Sequence, residues 1–137
     1  MALIRTNSGS GGGGSIWDNW PDLSDGETLT SYNDRISNLT ANKAKKIGTD
    51  IYIEVAGDLS LTSSATGHEY FTVINAISLI TNTSSAMDIT YSITSVGTSS
   101  KSIRGFTVSY EKKIIITTYG SGTFTTPIKL KMILHNQ

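Results

Sequence analysis

From residue 49 onward, apolar and polar residues alternate with a period of two. Ile51, Ile53 and Val55 alternate with Tyr52 and Glu54, and Phe71 and Val73 flank Thr72. Ile89, Tyr91 and Ile93 are separated by Thr90 and Ser92, and Phe106, Val108 and Tyr110 by Thr107 and Ser109. Ile128, Leu130, Met132 and Leu134 alternate with Lys129, Lys131 and Ile133. This period sets one face of a strand on a core and leaves the other wet. Ile114-Ile115-Ile116 is continuous and suits a strand buried on both sides. Turn-forming residues punctuate these runs at Ala56-Gly57-Asp58, Ala65-Thr66-Gly67, 81–86, 96–100 and Tyr119-Gly120-Ser121-Gly122. Thr125-Thr126-Pro127 reads as the beginning of the last strand, where a proline is tolerated. About seven or eight short strands with such spacing predict a mostly β protein, an antiparallel β-sandwich of jelly-roll type.

Before residue 49 the pattern differs. Ser24-Asp25-Gly26-Glu27 fits a capping box, in which the Ser24 hydroxyl takes the Glu27 N–H and the Glu27 carboxylate reaches back. Lys43, Lys45 and Lys46 stand where cations favour a helix C-terminus, and Gly48 follows as a terminator. These signals predict one short helix near 25–47. Leu29, Tyr32, Ile36 and Leu39 are spaced 3, 4 and 3, as in an a/d seam. Such a stripe either packs on the sheet of its own chain or joins copies, so these four residues form a candidate oligomer seam. Ahead of the helix, residues 16–23 carry both tryptophans. Trp17 and Trp20 either fold back to plug the end of the core or present a docking or sugar-stacking patch.

Residues 1–15 make a separate arm. Met1 to Thr6 lead into a tract of Asn, Ser and Gly ending at Ser15. Such tracts behave as flexible coil, although Gly11 to Ser15 also has the composition of an engineered spacer. Leu3, Ile4 and Arg5 are the candidate anchor. The chain thus divides into an arm (1–15), a Trp-containing segment with the helix (16–48) and a β-sandwich (49–137).

Composition narrows the chemistry. Eleven basic and eleven acidic residues leave a net charge of +0, which gives no support for a nucleic-acid partner. No apolar run is long enough to span a bilayer, and no signal-peptide core follows the start. The expected place of synthesis is therefore a cytoplasm. With no cysteine, disulfides and thiolate-ligated metals are excluded. His68 beside Glu69 and His135 near the C-terminus lack a nucleophile at motif spacing, and neither a Gly-x-Ser-x-Gly elbow nor a phosphate-binding loop is present. No catalytic residue, cofactor or metal site is expected. Asp18, Asp22, Asp25 and Glu27 offer calcium-type oxygens, but without EF-hand spacing and with Asp25 and Glu27 assigned to the helix cap. Sugar binding asks for aromatic platforms, and Tyr119, in a glycine-rich turn region, joins Trp17 and Trp20 as a candidate.

Ser and Thr fill 38 of the 137 positions, more than all charged residues together, so the strand surfaces carry hydroxyls rather than charges. In layout the chain resembles small structural proteins of tailed bacteriophages: an N-terminal anchor peptide, a Gly-rich hinge, a short helix and a Ser/Thr-rich β domain. The resemblance implies a non-enzymatic virion subunit, a head fibre, tail fibre or decoration protein. It would partner other virion proteins through Leu3, Ile4 and Arg5 and form a homo-oligomer, a trimer by preference, through Leu29, Tyr32, Ile36 and Leu39. Two other readings stand beside it: a carbohydrate-binding module that reads a host-surface glycan, and a tail-tube or connector ring subunit.

Overall fold

The last strand organises the molecule. In the computed structural model, which describes residues 7–8, 15–63, 66–84, 87–95 and 101–137, strand β9 (Gly122–Leu134) lies at the centre of a six-stranded sheet. Its partners are β4 (Asp50–Ser63) along its whole length and β6 (Ile89–Ser95) along its second half, both antiparallel. Outward from β4 come β3 (Ile36–Ile47) and the two-residue β2 (Glu27–Thr28), and outside β6 comes β1 (Asn7–Ser8). A three-stranded antiparallel sheet faces this one, with β8 (Ile114–Tyr119) between β5 (His68–Ile74) and β7 (Ser102–Val108). The protein is therefore mostly β, with the two sheets sharing one core.

The period-two runs built these strands as their pattern requires. Ile51, Ile53, Val55, Leu59 and Leu61 of β4 point inward, as do Phe124, Ile128, Leu130, Met132 and Leu134 of β9. Phe71, Phe106, Val108, Ile114 and Ile116 meet them from the small sheet. Tyr91 of β6 and Phe106 of β7 join the layers edge to face, 5.5 Å between ring centroids. Each fully buried Ile, Leu, Met or Phe contributes about 1.5–3 kcal/mol of transfer free energy. Ile115 is buried as well, on the opposite side of β8, as the continuous triplet predicts. Tyr110, which continues the alternation of β7 in sequence, lies instead in the β7–β8 turn and is 63% exposed.

The helix expected near 25–47 is not formed. Residues 36–47 are strand, paired with β4 through a ladder that runs from Ile36↔Leu59 to Ile47↔Asp50. Gly48 is no helix terminator: it takes φ +64 as the first residue of the two-residue β3–β4 hairpin loop, a position that demands positive φ. The residues of the expected seam scatter accordingly. Leu29 and Ile36 are buried in the chain's own core, Leu39 packs against that core, and Tyr32 sits in a short 3-10 turn (Tyr32–Asp34). Residues 16–48 and 49–137 thus contribute to the same sheet. The short helix that does occur is a single turn, α1 (Ser15–Asp18), further upstream.

The capping-box residues have other employment. Glu27 accepts hydrogen bonds from the backbone N–H groups of Ser78 and Leu79 (2.9 and 3.1 Å) and from the Ser78 hydroxyl (2.6 Å). It thereby fastens the long 75–88 connection, whose Ile77, Ile80 and Met87 are fully buried. Gly26 lies so close to β3 that an added Cβ would overlap the Ala44 carbonyl oxygen. The expected turn at Ala56-Gly57-Asp58 is the interior of β4. There Gly57 makes room for a bulge in β3, where the register shifts between Ser37 and Ala41 and Asn38 adopts φ +51. Pro127 sits inside β9, just beyond the last β6 rung at Ser95↔Ile128. Among the described residues no β6 rung lies opposite it, which suits a residue without an N–H.

Candidate functional site

Aromatic and charged groups collect on the two outward faces of the sandwich. On the large sheet, register places Lys43, Glu54 and Lys131 in one row and Lys45, Tyr52 and Ile133 in the next. Trp20 lies on this face. Its indole N–H donates to Glu54 Oε1 at 3.0 Å, its ring meets Tyr52 edge to face at 5.4 Å, and the Lys131 ammonium stands 5.3 Å from its centroid. Trp17 packs against it with centroids 5.7 Å apart. Ile133, fully buried although on the outward side, neighbours Tyr52 across the ladder. Of the two sequence readings for the tryptophans, folding back onto the domain describes Trp20, with one change: it caps a sheet face and not an end of the core.

The lead-in to β2 reinforces this layer. The backbone N–H and hydroxyl of Ser24 hold the Asp22 carboxyl below its usual range. Lys45 does the same for Asp25 through a hydrogen bond and its charge, with Nζ 2.9 Å from Oδ1. Lys43 donates to the Thr28 hydroxyl at 2.8 Å.

Beyond Trp20 the same face sinks into a trough. A hollow of about 260 Å³ lies between Glu54, Ala41 and Lys131. It leads to a pocket of about 430 Å³ bordered by Asn38, Thr40, Asp58, Thr94 and Lys129, with Ala56, Gly57, Pro127 and Ile128 beneath. The depression follows from the sequence: small residues, Ala41, Ala56 and Gly57, meet where the β3 bulge turns Asn38 aside. Asn38 Nδ2 donates to Asp58 Oδ2 at 2.8 Å across this edge.

The small sheet presents a different face. Tyr119 and Tyr70 are 41% and 52% exposed. His68 contacts Tyr119 edge to face at 4.9 Å, and the Arg104 guanidinium stands 5.2 Å from the Tyr119 centroid. His68 and Tyr70 lie two residues apart on β5, so they share this face, and His68 is paired with Tyr119 in register. Beneath the platform, on the inward side, Lys101 is fully buried: Nζ donates to the Gly120 carbonyl at 2.6 Å, lies 3.9 Å from Glu69 Oε1 and sits 5.6 Å from the Phe71 centroid.

Of the sequence candidates, the structure places Trp17 and Trp20 together on one face and Tyr119 on the other. The anchor residues Leu3, Ile4 and Arg5 lie outside the described residues. Sequence reasoning missed the Asn38–Asp58 edge, Lys129 and the His68–Arg104 flanks, because strand pairing assembles each of them from positions far apart in the chain. His135 closes the end of β9, with its ring 2.9 Å from the Thr90 hydroxyl and 3.5 Å from Asp50. Among the described residues no group of three or more His, Cys, Asp or Glu is placed to hold a metal ion. Compared with protein-family models, curated proteins and solved structures, the chain matches none.

Proposed function

We propose that this protein is a non-enzymatic structural subunit of a phage virion, a fibre or decoration protein that self-associates and is held through its N-terminal arm. The observation that carries this reading is the seat of β1. Asn7 and Ser8 add a parallel strand to the free edge of β6, opposite Thr90 and Tyr91. Main-chain pairing of this kind is tolerant of sequence, and a neighbouring copy offers the same edge. Residues 9–14, between β1 and α1, are Gly and Ser alone, so a change of partner unpacks no large side chain there. The layout of the chain and its hydroxyl-rich strands support the same reading.

The test is the solution mass, by light scattering after size exclusion, of the full chain and of a chain lacking residues 1–14. The full chain is expected to run as an oligomer, and the shortened one as a monomer with an unchanged β-type circular dichroism spectrum. A monomeric full chain across the accessible concentration range would overturn the proposal.

The exposed Tyr70–Tyr119 platform favours a second reading, in which the subunit also reads a host-surface glycan. Tyrosine rings braced by His68 and Arg104 supply flat apolar area with little conformational entropy to lose.

A further inference from the structure

The polar groups on the outward face of the large sheet fall into two sets. Those around Trp20 are committed: Glu54 to the indole N–H, Lys131 over its ring, Lys45 to Asp25 and Lys43 to Thr28. Those around the pocket at the other end of the trough are not. Lys129 has no carboxylate within ion-pair distance among the described residues. The Asn38–Asp58 hydrogen bond uses one amide hydrogen and one carboxylate oxygen, leaving Asn38 Oδ1 and Asp58 Oδ1 to accept elsewhere. Thr40 and Thr94 add hydroxyls from opposite sides.

These groups ring an apolar floor. Ala56 is nearly inaccessible from outside, Gly57 and Ile128, whose side chain turns to the core, line the floor beside it, and Pro127 adds a ring. The volume of about 430 Å³ falls in the range of small-molecule sites. A ligand that fits must lay an apolar surface on the floor while its edge offers donors to a carboxylate and an amide oxygen, and acceptors to an ammonium and hydroxyls. The charge at the rim sums to zero, one Asp against one Lys. A phosphate or sulfate would meet the Asp58 carboxylate as well as the single Lys129, and a purely apolar ligand would strand the rim groups without partners.

We infer that this pocket binds a saccharide, one neutral pyranose ring on the Ala56–Pro127 floor with its hydroxyls read by Asn38, Asp58 and Lys129. The trough towards Glu54 and Trp20 gives the chain of a longer glycan its direction. The site stands apart from the Tyr119 platform on the opposite sheet and does not depend on the assembly reading.

The experiment is a titration of the full ¹⁵N-labelled chain with the methyl glycosides of glucose, galactose, mannose and N-acetylglucosamine, followed by amide chemical shifts. At least one glycoside is expected to give saturable shifts centred on Asn38, Gly57, Thr94 and Lys129. Asp58→Ala is expected to weaken that binding by at least about tenfold, the loss of a charge-assisted hydrogen bond. Lys129→Met, which keeps the stem and removes the charge, should weaken it as well, and the spectra themselves report whether either variant folds. Saturable shifts that Asp58→Ala abolishes support the site. No saturable shift with any of the glycosides, shifts indifferent to both substitutions, or shifts confined to Tyr70 and Tyr119 would overturn it.

Discussion

The two outward faces carry similar residues and use them differently. On the six-stranded sheet, an aromatic pair from residues 17–20 is laid across Tyr52 and tied by an indole–carboxylate hydrogen bond. On the three-stranded sheet, Tyr70 and Tyr119 are exposed, and among the described residues His68 and Arg104 flank Tyr119. An aromatic ring on a strand is not in itself a binding group. What separates the faces is whether a segment distant in the chain covers the ring and satisfies its polar atom. By that measure Trp20 is part of the fold and a wall of the trough, whereas Tyr119 is available to a partner.

The comparison can be broken at its support. Lys101 holds the Gly120 carbonyl one residue beyond Tyr119 from inside the sandwich. Lys101→Ala should lower unfolding stability by about 2–3 kcal/mol, below the usual cost of breaking a buried pair because Glu69 remains partly hydrated. Lys101→Met, which keeps the methylene packing, should recover part of that loss in a urea titration. A Lys101→Met variant as stable as the wild type would show that the ammonium contributes nothing there.

Trp20→Ala comes next, at about 1–2 kcal/mol, less than a fully buried Trp because the ring is half-buried. Tyr119→Ala should stay within about 0.5 kcal/mol, as surface substitutions do. It should nonetheless remove any glycan-array or cell-surface binding that belongs to the platform. A Tyr119→Ala cost equal to that of Trp20→Ala would erase the distinction between the faces.

The smallest effect concerns the carboxylates beside Trp20's segment. Asp22 and Asp25 are held below their ordinary value of 3.8, so the stability they add is present above that value and is lost as pH falls through their lowered folded values. Both are fully exposed, which keeps the contribution small. The stability gap between the wild type and the Asp22→Asn, Asp25→Asn double variant should therefore be modest at pH 7 and close at acid pH, measured by urea unfolding.

The apolar stretches of strands β4 to β9 were legible because most of their inward positions are filled by Ile, Leu, Val, Met and Phe at a period of two, and a one-residue slip would turn them to water; the middle of β4, where Gly57 interrupts the alternation, read as a turn instead. Residues 27–47 were not. Ala, Lys and Glu in that stretch favour helix locally, and Leu29, Tyr32, Ile36 and Leu39 mimic a helical stripe. Yet in β3 the inward apolar positions are chiefly Ile36 and Ala44, too few to show an alternation. The contrary signals were local and small: Asn33, Asp34 and Asn38 all take positive φ, which an α-helix does not accommodate and which Asn and Asp tolerate best.

By itself, then, the sequence determined the fold class and the apolar stretches of the core strands. The burial of apolar side chains at period two is a local pattern backed by a large, non-directional free energy. Only the tertiary structure decided that 36–47 is a strand, because the ladder to β4 satisfies its backbone groups and outweighs a per-residue preference of less than about 1 kcal/mol. It alone decided that Glu27 fastens a loop fifty residues away, that Trp20 closes a face and that Tyr119 does not. The pocket edge is of the same kind: Asn38, Asp58, Thr94 and Lys129 come from four strands, and only pairing and register bring them around one floor.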